Sequence, residues 1–348
     1  MRYFFTVAIG TIFLLIIYNG YQKDFGNSST FPVDHEQTGL SDQIIIRFSH
    51  IVAENTPKGL AANKFAELIE EKTDGQIKVE VYPNGMLYSD DTEMQALQDG
   101  DIQMIAPSFS KLTAINPDWQ VLDLPFLFND YDDVENIFTG DVGQFLLEDL
   151  DENNIKGLTF WSNGFKQMTS KNHALITPDD FKEVKVRTMP SAILIKQFLS
   201  LGAEPSTASF DQVFSILENS KIDAQENTLS NIYTKGFHQV QDYLTISNHG
   251  FLGYAVLMNE DFWNKLSPNL QSQVLEAIEE TTIWNISQSE QMNNDTLTKL
   301  QQIETLSIHT LSADEQEEWQ KKFEHLYEFY ENDINLNLIE MIREEINR

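Results

Sequence analysis

The sequence predicts an α/β fold of two lobes joined by a long helix, and three observations carry that prediction. Its 348 residues suffice for about two domains. Short β-branched runs alternate with segments of helical period from Ile44 to Leu257. A helical pattern then runs from Ser267-Pro268 to about Gln302. At about 1.5 Å per residue, roughly 34 residues span about 50 Å, more than one small lobe is wide.

The elements follow in order. Ile44-Ile-Ile-Arg-Phe-Ser49 is an apolar β-branched run, and Ile77-Lys-Val-Glu-Val-Tyr82 alternates with period two, so both are strands. Between them Leu60, Ala61, Phe65, Leu68 and Ile69 recur at helical spacing, with Pro57 in the first turn and Thr73-Asp74-Gly75 as the stop. A helix over about Asp91–Asp99 and a strand over Ile102–Ala106 extend this β-α-β unit with parallel strands. Leu158–Trp161 and Val184–Arg187 are further short strands, and Ser191–Leu201 is a helix ended by Gly202. In the long helix, Ser267 caps, Pro268 opens, and Leu270, Val274, Ile278 and Leu297 mark the apolar face. Ser312-Ala-Asp-Glu315 is a capping box, followed by Trp319, Phe323, Leu326, Phe329 and Tyr330 on one face.

The N-terminus is an address. Tyr3–Tyr18 is almost wholly apolar after Arg2, then turns polar at Asn19, which fits a signal peptide or a membrane anchor over residues 1–21. Residues 22–40 carry Gly, Asn, Ser, Thr, Pro and Asp without apolar period and form a flexible tether. The working domain, 41–348, is thereby placed outside the cytoplasm, in the periplasm or on the outer face of the cell membrane.

Composition narrows the function. With 23 Lys plus Arg against 54 Asp plus Glu the net charge is −31, the wrong sign for nucleic acid. Without cysteine there is no disulfide, thiolate metal site, thiol nucleophile or lipidated N-terminal cysteine. The seven histidines never fall three to five apart, so no local metal box exists. No nucleophile elbow, phosphate loop or dinucleotide fingerprint occurs, so neither an enzyme nor a cofactor is expected.

Cations beside strands, turns or helix starts stand out from this acidic background. Arg187 ends a strand, where its planar fork suits a carboxylate. Lys58 opens a helix, whose N-terminus already favours anions. Lys166 follows a strand at the lobe crossover, Lys111 follows Pro107-Ser-Phe-Ser, and Asn227 ends an apolar-flanked strand with an amide that can donate.

Taken together and in order, these segments resemble the solute-binding subunits of TRAP (tripartite ATP-independent periplasmic) transporters, in their dicarboxylate-binding branch. The motifs are Phe48-Ser-His with Ala53-Glu-Asn-Thr-Pro-Lys-Gly59, Tyr88-Ser-Asp-Asp-Thr-Glu-Met94 with Ala96-Leu97, and Asp123-Leu-Pro-Phe-Leu-Phe128. They continue with Gly164-Phe-Lys-Gln-Met-Thr169, Lys185-Val-Arg-Thr-Met-Pro-Ser191, Gly202-Ala-Glu-Pro205, Gln225-Glu-Asn227 and Leu244-Thr-Ile-Ser-Asn-His249.

The resemblance implies a periplasmic-binding-protein-like fold that closes on an organic anion such as succinate, fumarate or malate. It implies Arg187 as the main carboxylate clamp, Asn227 as its assisting amide, and Lys58, Lys166, Glu54 and Lys111 as further ligand contacts. Lobe 1 is expected over about 41–163 with a return near 250–266, lobe 2 over about 164–249, and bridging and C-terminal helices over about 267–348. Relatives carry arginine where Lys166 stands, and Gly and Pro where Ala224 and Thr228 stand. The implied partners are the integral membrane subunits of the transporter or, alternatively, a membrane sensor kinase that uses the protein as co-sensor. A remoter alternative is an extracytoplasmic hydrolase working through two carboxylates, which would turn its ligand over rather than return it unchanged.

Overall fold

The computed structural model describes residues 43–150 and 153–346. The expected leader and tether lie outside the described residues. Among the described residues no helix is long and apolar enough to cross a membrane.

Among the described residues nine strands form one mixed sheet. β1 (Ile44–Ser49) lies between β2 (Ile77–Tyr82) and β3 (Met104–Ile105), parallel to both, with α1 (Pro57–Lys72) as the crossover from β1 to β2. The α1 start is set by Thr56, whose hydroxyl accepts the Gly59 N–H, and by Pro57 in the first turn. α2 (Glu93–Gln98) precedes β3, and α3 (Tyr131–Thr139) and α4 (Asp141–Glu148) lead to β4 (Ile155–Ser170). β5 (Lys185–Thr188), α5 (Ala192–Ser200), β6 (Glu204–Thr207), α6 (Val213–Glu218), β7 (Ala224–Thr228) and α7 (Leu229–Thr234) keep alternating. β8 (Tyr243–Asn259), α8 (Pro268–Leu300), β9 (Ser307–Thr310), α9 (Ala313–Tyr330) and α10 (Leu336–Ile346) complete the chain. The sheet order is β2-β1-β3-β8-β4-β7-β5-β6, with β9 paired to β8.

The centre of the sheet departs from the sequence-based expectation. Leu158–Trp161 is not a short strand but part of the 16-residue β4, which runs antiparallel to the 17-residue β8 and extends through Lys166 to Ser170. Lys166 therefore stands within a strand rather than after one. These two strands cross from the β1–β3 half of the sheet to the β5–β7 half. Gly164 interrupts the apolar pattern and conceals their continuity: it takes φ +114° beside an irregularity in the β4–β8 register, and a side chain there would meet Asn293 Nδ2 at 2.5 Å.

Successive β4 side chains face opposite sides and build two cores. Phe160 packs on Phe109 and Trp119 at centroid distances of 5.6 and 5.7 Å. Trp161 packs on Phe48 at 5.7 Å in the core on the other face, with α1 and α8. Gly253 on β8 admits the Phe109 ring, which a Cβ would approach to 2.3 Å.

The expected long helix is α8, and its buried face changes character midway. After Leu270, Val274 and Ile278 it presents Thr282, Asn285, Ser289 and Asn293, all buried. Asn285 accepts the Ser162 N–H at 2.6 Å and donates to the carbonyls of Ser162 and Pro57 at 3.2 and 3.3 Å. Asn293 donates to Asn163 O at 2.8 Å and accepts the Ser230 N–H at 3.0 Å. This polar ladder fixes α8 to the crossing strand, to the start of α1 and to α7.

Candidate functional site

The parallel strands β5 and β7 end beside each other, Arg187 opposite Gln225, and bring Arg187 and Asn227 to one cavity. With its mouth and the open solvent there, the space these residues line is about 320 Å³. Ile51, Val52, Asp90, Ser108 and Tyr254 come to it from the β1–β3 half, and Met189, Phe210 and Asn231 from the other. Apolar walls with a few convergent polar groups are the usual form of a small-molecule site.

Arg187 is 2% exposed. Its Nε and Nη2 both donate to the carbonyl oxygen of Ala208, at 2.9 and 2.7 Å, which holds the guanidinium plane in place. Among the described residues no carboxylate comes within ion-pair distance of it. Burial disfavours its charge, an effect opposed by the fields of Asp90 and Glu226. Arginine cannot respond by giving up its proton, so the site keeps an unmatched buried cation.

Asn227 is oriented by two donors. Its Oδ1 accepts the Thr228 N–H at 3.1 Å and Asn231 Nδ2 at 2.8 Å. Its own amide hydrogens are then left for Gln225 Oε1, at 3.4 Å, and for the cavity.

The remaining sequence candidates are placed differently. Lys58 is fully buried behind the wall: its Nζ donates to Ala106 O at 2.8 Å and lies 3.7 Å from the centroid of the Tyr254 ring, whose edge of the cavity it supports. Burial pulls its pKa down to about 8 despite Glu93 and Asp90. Burial likewise pushes Glu93 up to about 8, against Lys58, and brings His50 down to about 3 with Lys58 adding. Among the described residues neither Glu93 oxygen has a hydrogen-bond partner.

Lys111 pairs with Asp90 at 3.2 Å and Asp91 at 2.7 Å, and so steadies the one acid in the cavity wall instead of facing the cavity. Asp90 in turn accepts the backbone N–H of Phe210 at 3.2 Å, tying the loop after β2 to the segment after β6. Lys166 lies outside the lining. Its Nζ pairs with Glu226 at 2.8 Å, Glu226 also holds His249 at 2.8 Å, and all three are buried. Burial raises the Glu226 pKa, but Lys166 and His249 outweigh it and hold the carboxyl at about 2. Gly250 makes room for this lysine, since a Cβ there would come within 2.6 Å of Lys166 Cε. Glu54 is exposed and makes no contact with the cavity.

The structure thus brings Arg187 and Asn227 into the cavity, puts Lys58 and Lys111 behind its wall, and leaves Lys166 and Glu54 outside. Residues with no positive charge to mark them in the sequence complete it. Asp90 sits in a motif already singled out but carries the wrong sign for an anion site, and Asn231 and Tyr254 read as ordinary helix and strand positions. Among the described residues no cluster of three or more His, Asp or Glu side chains is arranged to hold a metal.

The profile of bacterial extracellular solute-binding protein family 7 matches residues 48–333. The C4-dicarboxylate-binding protein DctB of Bacillus subtilis is 48% identical, over 94% of this chain and 93% of its own. A TRAP periplasmic solute-binding protein from Sulfurospirillum deleyianum, solved with bound succinate, superposes with a TM-score of 0.83 at 38% identity, over 86% of this chain and 98% of that one. Another from Pseudomonas aeruginosa, solved with bound L-malate, has a TM-score of 0.80 at 34% identity, covering 82% and 100%.

Proposed function

The chain belongs to bacterial extracellular solute-binding protein family 7, and from that premise we propose that it captures a C4-dicarboxylate outside the cytoplasm and hands it to the integral membrane subunits of a TRAP transporter. The observation that carries this reading is Arg187, a buried cation with no ion-pair partner among the described residues, tied back on Ala208 and lining the cavity. An arginine fixed at its rear presents its outer N–H groups in one orientation, which suits a planar carboxylate. Asn227 adds a donor beside it. The names of the relatives support a four-carbon diacid as the ligand.

In this account the two lobes are the segments 41–163 with 250–266, and 164–249, and the ligand enters while they stand apart. One carboxylate meets Arg187 and Asn227. Closure then brings Ser108 and Tyr254 of the opposite half to the second carboxylate. Only contacts made across both halves favour the closed form, so a monocarboxylate closes it less completely. The ligand leaves chemically unchanged. A calorimetric titration with succinate, fumarate, malate and acetate tests this: the diacids bind at least about tenfold more tightly than acetate, and Arg187→Ala abolishes binding. Equal affinity for acetate, or consumption of the ligand, would contradict it.

A further inference from the structure

The orientation of one amide in the cavity wall specifies a feature of the ligand. Asn231 stands in the first turn of α7 and is 1% exposed. The backbone N–H of Thr228 can only donate, so the Asn227 atom 3.1 Å from it is the carbonyl oxygen. The Asn231 atom 2.8 Å from that same oxygen is then its amide nitrogen. By elimination the other terminal atom is Oδ1, an acceptor, and it is buried with no donor in hydrogen-bond geometry among the described residues.

A dianion has no proton to offer this oxygen. A plain diacid therefore leaves a buried acceptor unpaired when the site closes, and that is costly. Asp90, the acid of the same wall, receives the Phe210 N–H and Lys111 on one oxygen, Oδ2, and its Oδ1 is the rival acceptor that the Asn231 variant below separates from Asn231. We propose that Asn231 Oδ1 receives a hydroxyl carried by the ligand, so that the cavity selects a 2-hydroxy dicarboxylate over the unsubstituted diacid. The inference rests on the dicarboxylate reading above. A site built to hydrogen-bond a substrate hydroxyl discriminates strongly against the analogue that lacks it. The internal competitor for this oxygen is the Tyr254 hydroxyl, which lines the same wall close enough to feel the Asn231 amide.

Calorimetric titration of the full chain with succinate, L-malate and D-malate tests the proposal, with Asn231→Ala and Tyr254→Phe alongside. One malate enantiomer is expected to bind about tenfold or more tighter than succinate. Asn231→Ala weakens both acids, because Asn227 loses its support, but brings their ratio to within about twofold; Tyr254→Phe keeps the wild-type ratio. Equal affinity of the wild type for succinate and both malates overturns the proposal, whether or not the alanine variant folds. So does a preference that survives Asn231→Ala, or one that disappears in Tyr254→Phe. Binding of no diacid removes the parent reading, and this proposal with it.

Discussion

Arg187 and Ala208 form a two-point contact in which Nε and Nη2 of the guanidinium converge on one carbonyl oxygen. The contact joins β5 to the segment after β6 and leaves the arginine with a single orientation. A lysine in its place has no second donor fixed in the plane and cannot hold Ala208 while presenting a fork to a carboxylate. Arg187→Lys is therefore expected to fold and to lose about 100-fold or more in diacid affinity by titration calorimetry. A loss below about threefold would contradict the clamp.

A second link crosses the cavity. Asp90 holds the Phe210 N–H at 3.2 Å and pairs with Lys111 at the same distance. Asp90→Ala leaves that N–H without its acceptor and is expected to cost about 1–2 kcal/mol in urea unfolding. Asp90→Asn keeps an oxygen for Phe210 and should cost less. The reverse order would show that the charge, not the cross-cavity bond, matters.

Two buried groups, Glu93 and Lys58, give a pH signature. Glu93 has its pKa pushed up to about 8, so from about pH 4.5 to 8 the folded chain retains a proton that the unfolded chain has released, and stability falls as pH rises. Lys58 is pulled down to about 8, so from pH 8 to about 10.5 the unfolded chain holds a proton that the folded chain has lost, and stability rises again. Their joint contribution is lowest near pH 8. Glu93→Gln removes the falling limb: urea unfolding at pH 5 and 8 should show the wild type losing at least about 1 kcal/mol more than the variant. Identical losses would place Glu93 in a wetter setting.

The polar ladder of α8 predicts against a simple hydrophobic rule. Asn285→Leu fills a buried helix face with an apolar side chain, yet it strips the partner from the Ser162 N–H and is expected to destabilise by about 2–3 kcal/mol. A neutral or stabilising effect in urea unfolding would mean that packing, not these bonds, seats the helix.

Much of this architecture is legible in the sequence because local signals carry it. Pro57 with its Thr56 cap, the alternation of Ile77–Tyr82 and the Ser312–Glu315 capping box are short-range devices, and each element stands where its pattern puts it. The crossing strands were not legible. Gly164 and the register irregularity break the period of β4, and only its pairing with β8 restores the continuity. The middle of α8 was hidden for a related reason, since Asn285 and Asn293 look like surface residues until the backbone they serve is in place. At the site, a cation in an acidic chain announces Arg187. Lys58 and Lys166 share that signal, but Ala106 and Glu226, both distant in sequence, determine where they point.

The most direct measurement is a crystal structure of the protein grown with succinate or L-malate. One carboxylate is expected on the outer nitrogens of Arg187 and within hydrogen-bond distance of Asn227 Nδ2, with the Arg187 contact to Ala208 intact and Lys166 still paired with Glu226. A diacid bound elsewhere, or bound with its carboxylate on Lys166 after Glu226 has been released, would contradict the central claim.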